Sequence, residues 1–169
     1  MIEHRLIEKI VPILEKELEK IDNGGKLDPH LIDVAVDFFR TYADRTHHGK
    51  EEDILFRELT KKKMDPDHQR IMNELQAEHK IARSTVRGLL ESKTRWVNGE
   101  LGAIVQVKEN LSKLVELYPP HIHKEDRMFF QQTMKYFSEE ELNALLQESY
   151  EFDRKMIHEK YGKVIESLS

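Results

Sequence analysis

The chain has no cysteine, which excludes disulfides, thiolate metal sites and cysteine nucleophiles together. Glycine (7) and proline (5) are scarce among 169 residues, so few turns punctuate the chain. No apolar run approaches the ~20 residues of a membrane span. The opening Met1-Ile2-Glu3-His4-Arg5 lacks the basic-then-apolar order of a signal peptide. No membrane partner is expected, and the expectation is a soluble cytoplasmic protein. A surplus of basic charge is also missing: the net charge of −5 argues against nucleic acid as a partner. What is present is 35% charged and 38% apolar residues, the profile of amphipathic helices with solvated outer faces. This length predicts one domain over residues 1–169 with a sizeable core.

The periodicity predicts five helices and no strand. The first, over about residues 2–21, carries His4, Ile7, Val11, Leu14, Leu18 and Ile21 at steps of three and four. Pro12 should kink it or free a carbonyl, and Asn23-Gly24-Gly25 should end it. Asp28-Pro29 and Asp65-Pro66 are cap-then-proline starts for the second and third helices. The fourth has Leu111, Leu114, Leu117, His121, Glu125 and Met128 in phase across Pro119-Pro120, so a kink is expected there and not an end. Ser138 and Glu141 form a capping box that opens a fifth helix over about 139–167. The fold class is all-α: an up-down-up-down four-helix bundle with an additional C-terminal helix.

A repeat runs through this pattern. Residues 47–56 and 121–130 align as His-x-x-Lys-Glu-acid-x-apolar-apolar-Phe, 74 residues apart. Glu3-His4 and Glu78-His79 also match, 75 apart. Each half therefore offers one His from its first helix and a His-x-x-x-Glu pair from its second. His and Glu four apart lie on one helix face about one turn (~5–6 Å) from each other. They can reach the same metal ion, or an ion and its neighbour.

For one histidine among apolar neighbours, a hydrogen-bonded core or surface role is the ordinary explanation. Two in-phase His-x-x-x-Glu pairs plus two further stripe histidines are better explained by metal. Imidazole with carboxylate suits iron, manganese or zinc. A mononuclear zinc site takes three or four ligands, so six from four helices fit two ions with the glutamates free to bridge. None of the nine histidines has Glu three residues before it, unlike the carboxylate-rich Glu-x-x-His pattern of ferritin-like sites. A histidine-rich site is less anionic and favours reversible ligand binding to a reduced metal pair over storage.

These residues resemble the hemerythrin-like (HHE cation-binding) domain over essentially the whole chain, most closely at His47-His48-Gly49-Lys50-Glu51-Glu52-Asp53-Ile54-Leu55-Phe56. The resemblance implies a non-haem di-iron centre, with Glu51 and Glu125 bridging two iron ions and His4, His47, His79 and His121 as terminal ligands. The chain departs from the oxygen carriers of that family, which carry two histidines four apart on the third helix. Here Leu75 and Arg83 flank His79. His158 on the fifth helix is the candidate replacement, against an outer or surface role; His158-Glu159-Lys160-Tyr161 resembles the tail of single-domain relatives. The carriers' His-x-x-x-x-Asp would select Asp126, whereas the internal repeat favours Glu125.

His48 and His123 are turned about 100° and 200° away from their neighbouring ligands, and His30 and His68 lie far along their helices, so all four are read as ordinary. Glu3, Glu52 and Glu78 either orient ligands or are solvated. Trp96 is expected to pack near a turn, and Tyr42, Tyr118 and Tyr161 each remain open as residues facing the pocket. The expected function is a di-iron protein binding a small diatomic ligand (O2 or NO) or peroxide, for storage, sensing or detoxification. The family also offers peroxide decomposition, iron handling or iron–sulfur repair; repair proteins usually carry a further cysteine-bearing domain. A metal-free helical interaction module is the third reading.

Overall fold

The computed structural model describes the backbone of residues 2–167 and the side chains of residues 3–160. The expected stripe positions Tyr161, Ile165 and Leu168 lie outside the described side chains. Five helices form, and no strand occurs among the described residues. Helix α1, Ile2–Asp22, continues through Pro12. It ends where Gly24 takes φ +81. There the Gly25 N–H donates to the Lys20 carbonyl (2.8 Å) and the Gly24 N–H to that of Ile21 (3.0 Å), the paired closure that a left-handed residue permits.

Helix α2 spans residues 29–59. Pro29 opens it behind Asp28, whose carboxylate accepts from the N–H groups of His30 (3.0 Å) and Leu31 (3.2 Å). Helix α3, Pro66–Val97, starts the same way, with Asp65 accepting from the Asp67 N–H (2.9 Å). Helix α4 covers residues 104–133 and carries on through Pro119 and Pro120. Helix α5, Glu139–Ser167, begins at a reciprocal box: Ser138 N–H to Glu141 at 2.8 Å, Glu141 N–H to Ser138 Oγ at 3.2 Å.

Three stretches are wound as π-helix: Phe39–His48, Glu51–Phe56 and Glu125–Phe129. The last two lie inside the repeated motif, and the first runs into it at His47-His48. Such wide turns cluster at functional sites, because the extra residue re-aims neighbouring side chains.

The first four helices pack as a bundle, α1 against α4, α4 against α3 and α3 against α2. Their apolar faces do not make one continuous core. One cluster includes Leu14, Phe39, Val86, Leu111, Leu114 and Tyr118. A second includes Phe56, Leu59, Met72, Leu75 and Phe129. Along α2, α3 and α4 alike, the motif residues fall between the two.

Helix α5 lies on α2. Gly49, itself helical at φ −59, lets it come close: a Cβ there would stand 2.9 Å from Phe152 Cζ. Leu142 and Leu145 pack on the second apolar cluster. The rest of the seam is ionic, with Arg57–Glu148 (2.7 Å), Lys50–Asp153 (2.8 Å) and Lys62–Glu141 (2.5 Å). The more exposed of these, Arg57–Glu148 and Lys62–Glu141, contribute ~0–1 kcal/mol each, so the stability of the fold rests mainly on the two clusters. Leu114→Ala, at a side chain 0% exposed, should destabilise the protein by about 2–5 kcal/mol. Leu146→Ala, 51% exposed on α5, should stay within about 0.5 kcal/mol. Denaturant unfolding of the two variants beside the parent checks both.

Candidate metal centre

Five imidazoles meet in the layer between the clusters: His4 from α1, His47 and His48 from α2, His79 from α3 and His121 from α4, all buried. Every one has Nδ1 on a carboxylate. His4 meets Asp126 at 3.0 Å, His47 meets Glu3 at 3.1 Å, and His48 meets Asp44 at 3.3 Å. His79 meets Glu52 and His121 meets Glu78, both at 2.7 Å. A carboxylate can only accept, so Nδ1 carries a proton and Nε2 is the nitrogen turned inward.

Glu3, Asp44, Glu52 and Glu78 are held by cations in turn. Lys50 binds Glu3, and Lys124 binds Glu78. Arg83 spans Asp44 (2.7 Å) and Glu52 (2.9 Å). Burial pushes Glu3, Asp44, Glu52 and Glu78 up. Hydrogen bonds from each one's imidazole and from Lys50, Arg83 or Lys124 more than offset it. All four are held below the usual carboxylate range, Glu3 at about 2.

Glu51 and Glu125, also buried, lie at the centre. Glu51 turns Oε1 to His47 Nε2 and Oε2 to His79 Nε2, both at 3.4 Å. Glu125 turns Oε2 to His4 (3.1 Å), and Oε1 to His121 (3.1 Å) and His79 (3.6 Å). Ligand atoms of His4, His47, Glu51 and Glu125 lie within 4.8 Å of one another, and so do those of His48, His79 and His121. The two glutamates thus join one group to the other.

Burial with Glu125 as neighbour raises the Glu51 carboxyl well above its ordinary range, so it takes up the shared proton. Burial also acts to raise Glu125, but contacts from His121, His4 and His79 outweigh it and keep it ionised. Burial acts to lower His121, yet Glu125 and Glu78 lift it to about 9. Burial depresses His47, and depresses His48 to about 3.

The donor set fits a metal. Seven buried atoms have no hydrogen-bond partner within the layer: Nε2 of His48, His79 and His121, and all four oxygens of Glu51 and Glu125. An unsatisfied buried polar atom costs roughly 1–3 kcal/mol, and seven around one point call for a cation. His4 Nε2 and His47 Nε2 face each other at 3.0 Å. Both Nδ1 atoms already carry protons toward carboxylates, so two lone pairs meet there, a repulsion that a shared ion relieves.

Of the expected ligands, the structure brings His4, His47, Glu51, His79, His121 and Glu125 together. His158 is exposed on α5 and belongs to neither group. The residue that the sequence reading passed over is His48, whose ring stacks on His79 at 3.8 Å between centroids. The signal available was the second frame, His48-x-x-x-Glu52. It was set aside on α-helical angles, and the segment ending at His48 is π-helical. Asp126 supports His4, while Glu125 takes the central place. Glu3, Glu52 and Glu78 all hold imidazoles. His30 and His123 are exposed, and His68 bonds Tyr136 at 2.7 Å. Tyr118 meets the His121 ring edge-on at 6.4 Å, Tyr42 stacks on Phe38, and the side chain of Tyr161 is outside those described. Trp96 packs, half-buried, against the first cluster beside the Asn98-Gly99 turn.

Residues 1–133 match the family model described as Hemerythrin HHE cation binding domain. No curated protein and no solved structure matches the chain. No helix among the described residues is long and apolar enough to cross a membrane.

Two outcomes follow from this geometry. His48→Ala should lower metal affinity at least about tenfold, and His158→Ala should leave it unchanged, as chelator competition would show. The second concerns the metal-free protein. His48 has a folded pKa of about 3, below the ~6.5 of an unfolded histidine. Its neutral ring therefore contributes stability that is fully present above pH ~6.5 and is lost as pH falls toward 3. From pH 7 to 5 the metal-free protein should lose about 2 kcal/mol more than a His48→Gln variant does, as measured by urea unfolding at each pH.

Proposed function

The chain belongs to the hemerythrin HHE cation-binding domain family, and we propose that it is a non-haem di-iron protein binding O2, NO or a peroxide inside the bundle. The supporting observation is the pair of central glutamates, each turning one oxygen to the His4/His47 side and the other to the His79/His121 side. Two carboxylates so placed could bridge two ions. His4, His47, Glu51 and Glu125 would hold one ion, and His48, His79 and His121 with the same glutamates the other. His158 has no part in this assignment. When bound, a reduced iron pair supplies the electrons and the open position that small oxygen or nitrogen ligands need.

The chain's own residues do the rest. The five Nδ1–carboxylate bonds fix each ring and raise the basicity of its Nε2. The Glu51 carboxyl and His121 Nε2 carry protons without metal and give them up as they become ligands. The two apolar clusters exclude water above and below, which limits hydrolysis and proton leakage. Imidazoles outnumber carboxylates, so the site holds a low-charge reduced pair better than a carboxylate-rich one does. A metal-free interaction module leaves the seven partnerless atoms unexplained.

The test is iron content of untagged protein, with visible spectra of the reduced form before and after air or NO. About two irons per chain, with charge-transfer bands that appear in air and reverse on its removal, are expected for O2 binding. Bands that form once and persist select peroxide or NO chemistry. Under about a tenth of an iron per chain after anaerobic loading would end the di-iron reading.

A further inference from the structure

A cavity of about 500 Å3 opens beside the metal layer. Its inner end is formed by His47 and Glu51. Ile54, Leu55, Phe130 and Met134 make one wall, and Leu142, Leu145 and Leu146 of α5 roof it. Leu146 and Tyr150 reach solvent at its mouth, 51% and 57% exposed. A water occupies ~30 Å3 in the liquid, so O2, NO or H2O2 would fill a small part of this space. Its size falls in the ~300–1,000 Å3 range of pockets for organic ligands.

The polar groups of the walls restrict the ligand further. Lys50 is committed to Glu3 and Asp153. Glu3 holds His47, and Asp126 holds His4. No cation is left to pair with an organic anion, and three carboxylates flank the inner end. Glu51 is 4% exposed and both its carboxyl oxygens are buried, as is Oδ1 of Asp153. What the walls offer a ligand is therefore mainly apolar surface.

We propose that this cavity binds an uncharged organic molecule through its apolar body, held under α5 against Ile54, Leu55, Phe130 and Met134. The inference does not rest on the metal-centre reading. Filling of the cavity does not need iron.

The probes are 1-octanol and octanoate, titrated by calorimetry and amide NMR into the full chain, metal-free and ferrous-loaded. Saturable binding of 1-octanol is expected in both forms, with octanoate at least about tenfold weaker on the metal-free chain. Leu145→Trp fills the roof, and Leu146→Asp charges the mouth at an exposed position that the fold does not need. Both should weaken octanol binding at least about tenfold with iron content kept, and Leu146→Asp should also keep the thermal midpoint. No saturable octanol binding in either form would overturn the proposal, as would octanoate binding as tightly, or octanol binding that neither variant weakens. It is equally overturned if octanol fails to bind and Leu146→Asp abolishes a concentration-dependent self-association, since the face then serves a second copy of the chain. A chain that binds octanol but retains no iron would refute the metal reading and leave this one standing; iron retained without octanol binding does the reverse.

Discussion

The hydrogen bond from a buried imidazole Nδ1 to a carboxylate is the interaction on which the rest of this structure depends. It occurs five times and fixes five tautomers. Without it a ring between two apolar clusters could turn either nitrogen outward. With it, Nε2 of every ring is the atom directed into the layer. Lys50, Lys124 and Arg83 keep Glu3, Glu78, Asp44 and Glu52 ionised, and so act on the site from one contact further out. The interior charge is thereby organised in three tiers: cation, carboxylate, imidazole.

The arrangement sets a cost that the fold must carry. A band of polar atoms divides what would otherwise be one core. Each apolar cluster must then be tight enough to hold four helices against the demands of the layer between them. The buried aromatic and leucine residues on either side, Phe39 and Tyr118 above and Phe56 and Phe129 below, serve that need. The π-helical turns lie in the same band, where helix geometry has yielded to the aiming of His48, Glu51 and Glu125.

Most of this was legible in the sequence, because helical periodicity and the 74-residue repeat are simple geometric signals. Caps at Asp28, Asp65 and Ser138 fix helix starts through local hydrogen bonds, which neighbouring residues alone determine. Four positions of the repeated motif now have a physical role. The His supplies Nε2, the Lys holds the opposing Glu3 or Glu78, the Glu lies at the centre, and the following acid reaches across to the other half. Glu52 takes His79, and Asp126 takes His4. What local pattern could not give was any feature that depends on departure from ideal winding or on long-range docking. His48 was judged by an α-helical angle that the segment does not keep. His158 stands exposed on α5, which lies on the outside of α2, and spacing along the chain does not encode that docking.

Asp44 and His48 have counterparts in the second half that cannot play their parts: the same offset lands on Tyr118 and Ile122, both buried and apolar. The two halves are therefore not interchangeable building blocks. A symmetric dimer of the first hairpin would keep every supporting pair, with Glu52 of each copy in place of Asp126, and would carry His48 twice. A symmetric dimer of the second would have no imidazole at that position at all. If the chain arose by duplication, the asymmetry was added afterwards, and the first half is the one from which a minimal two-fold version of the protein would be built.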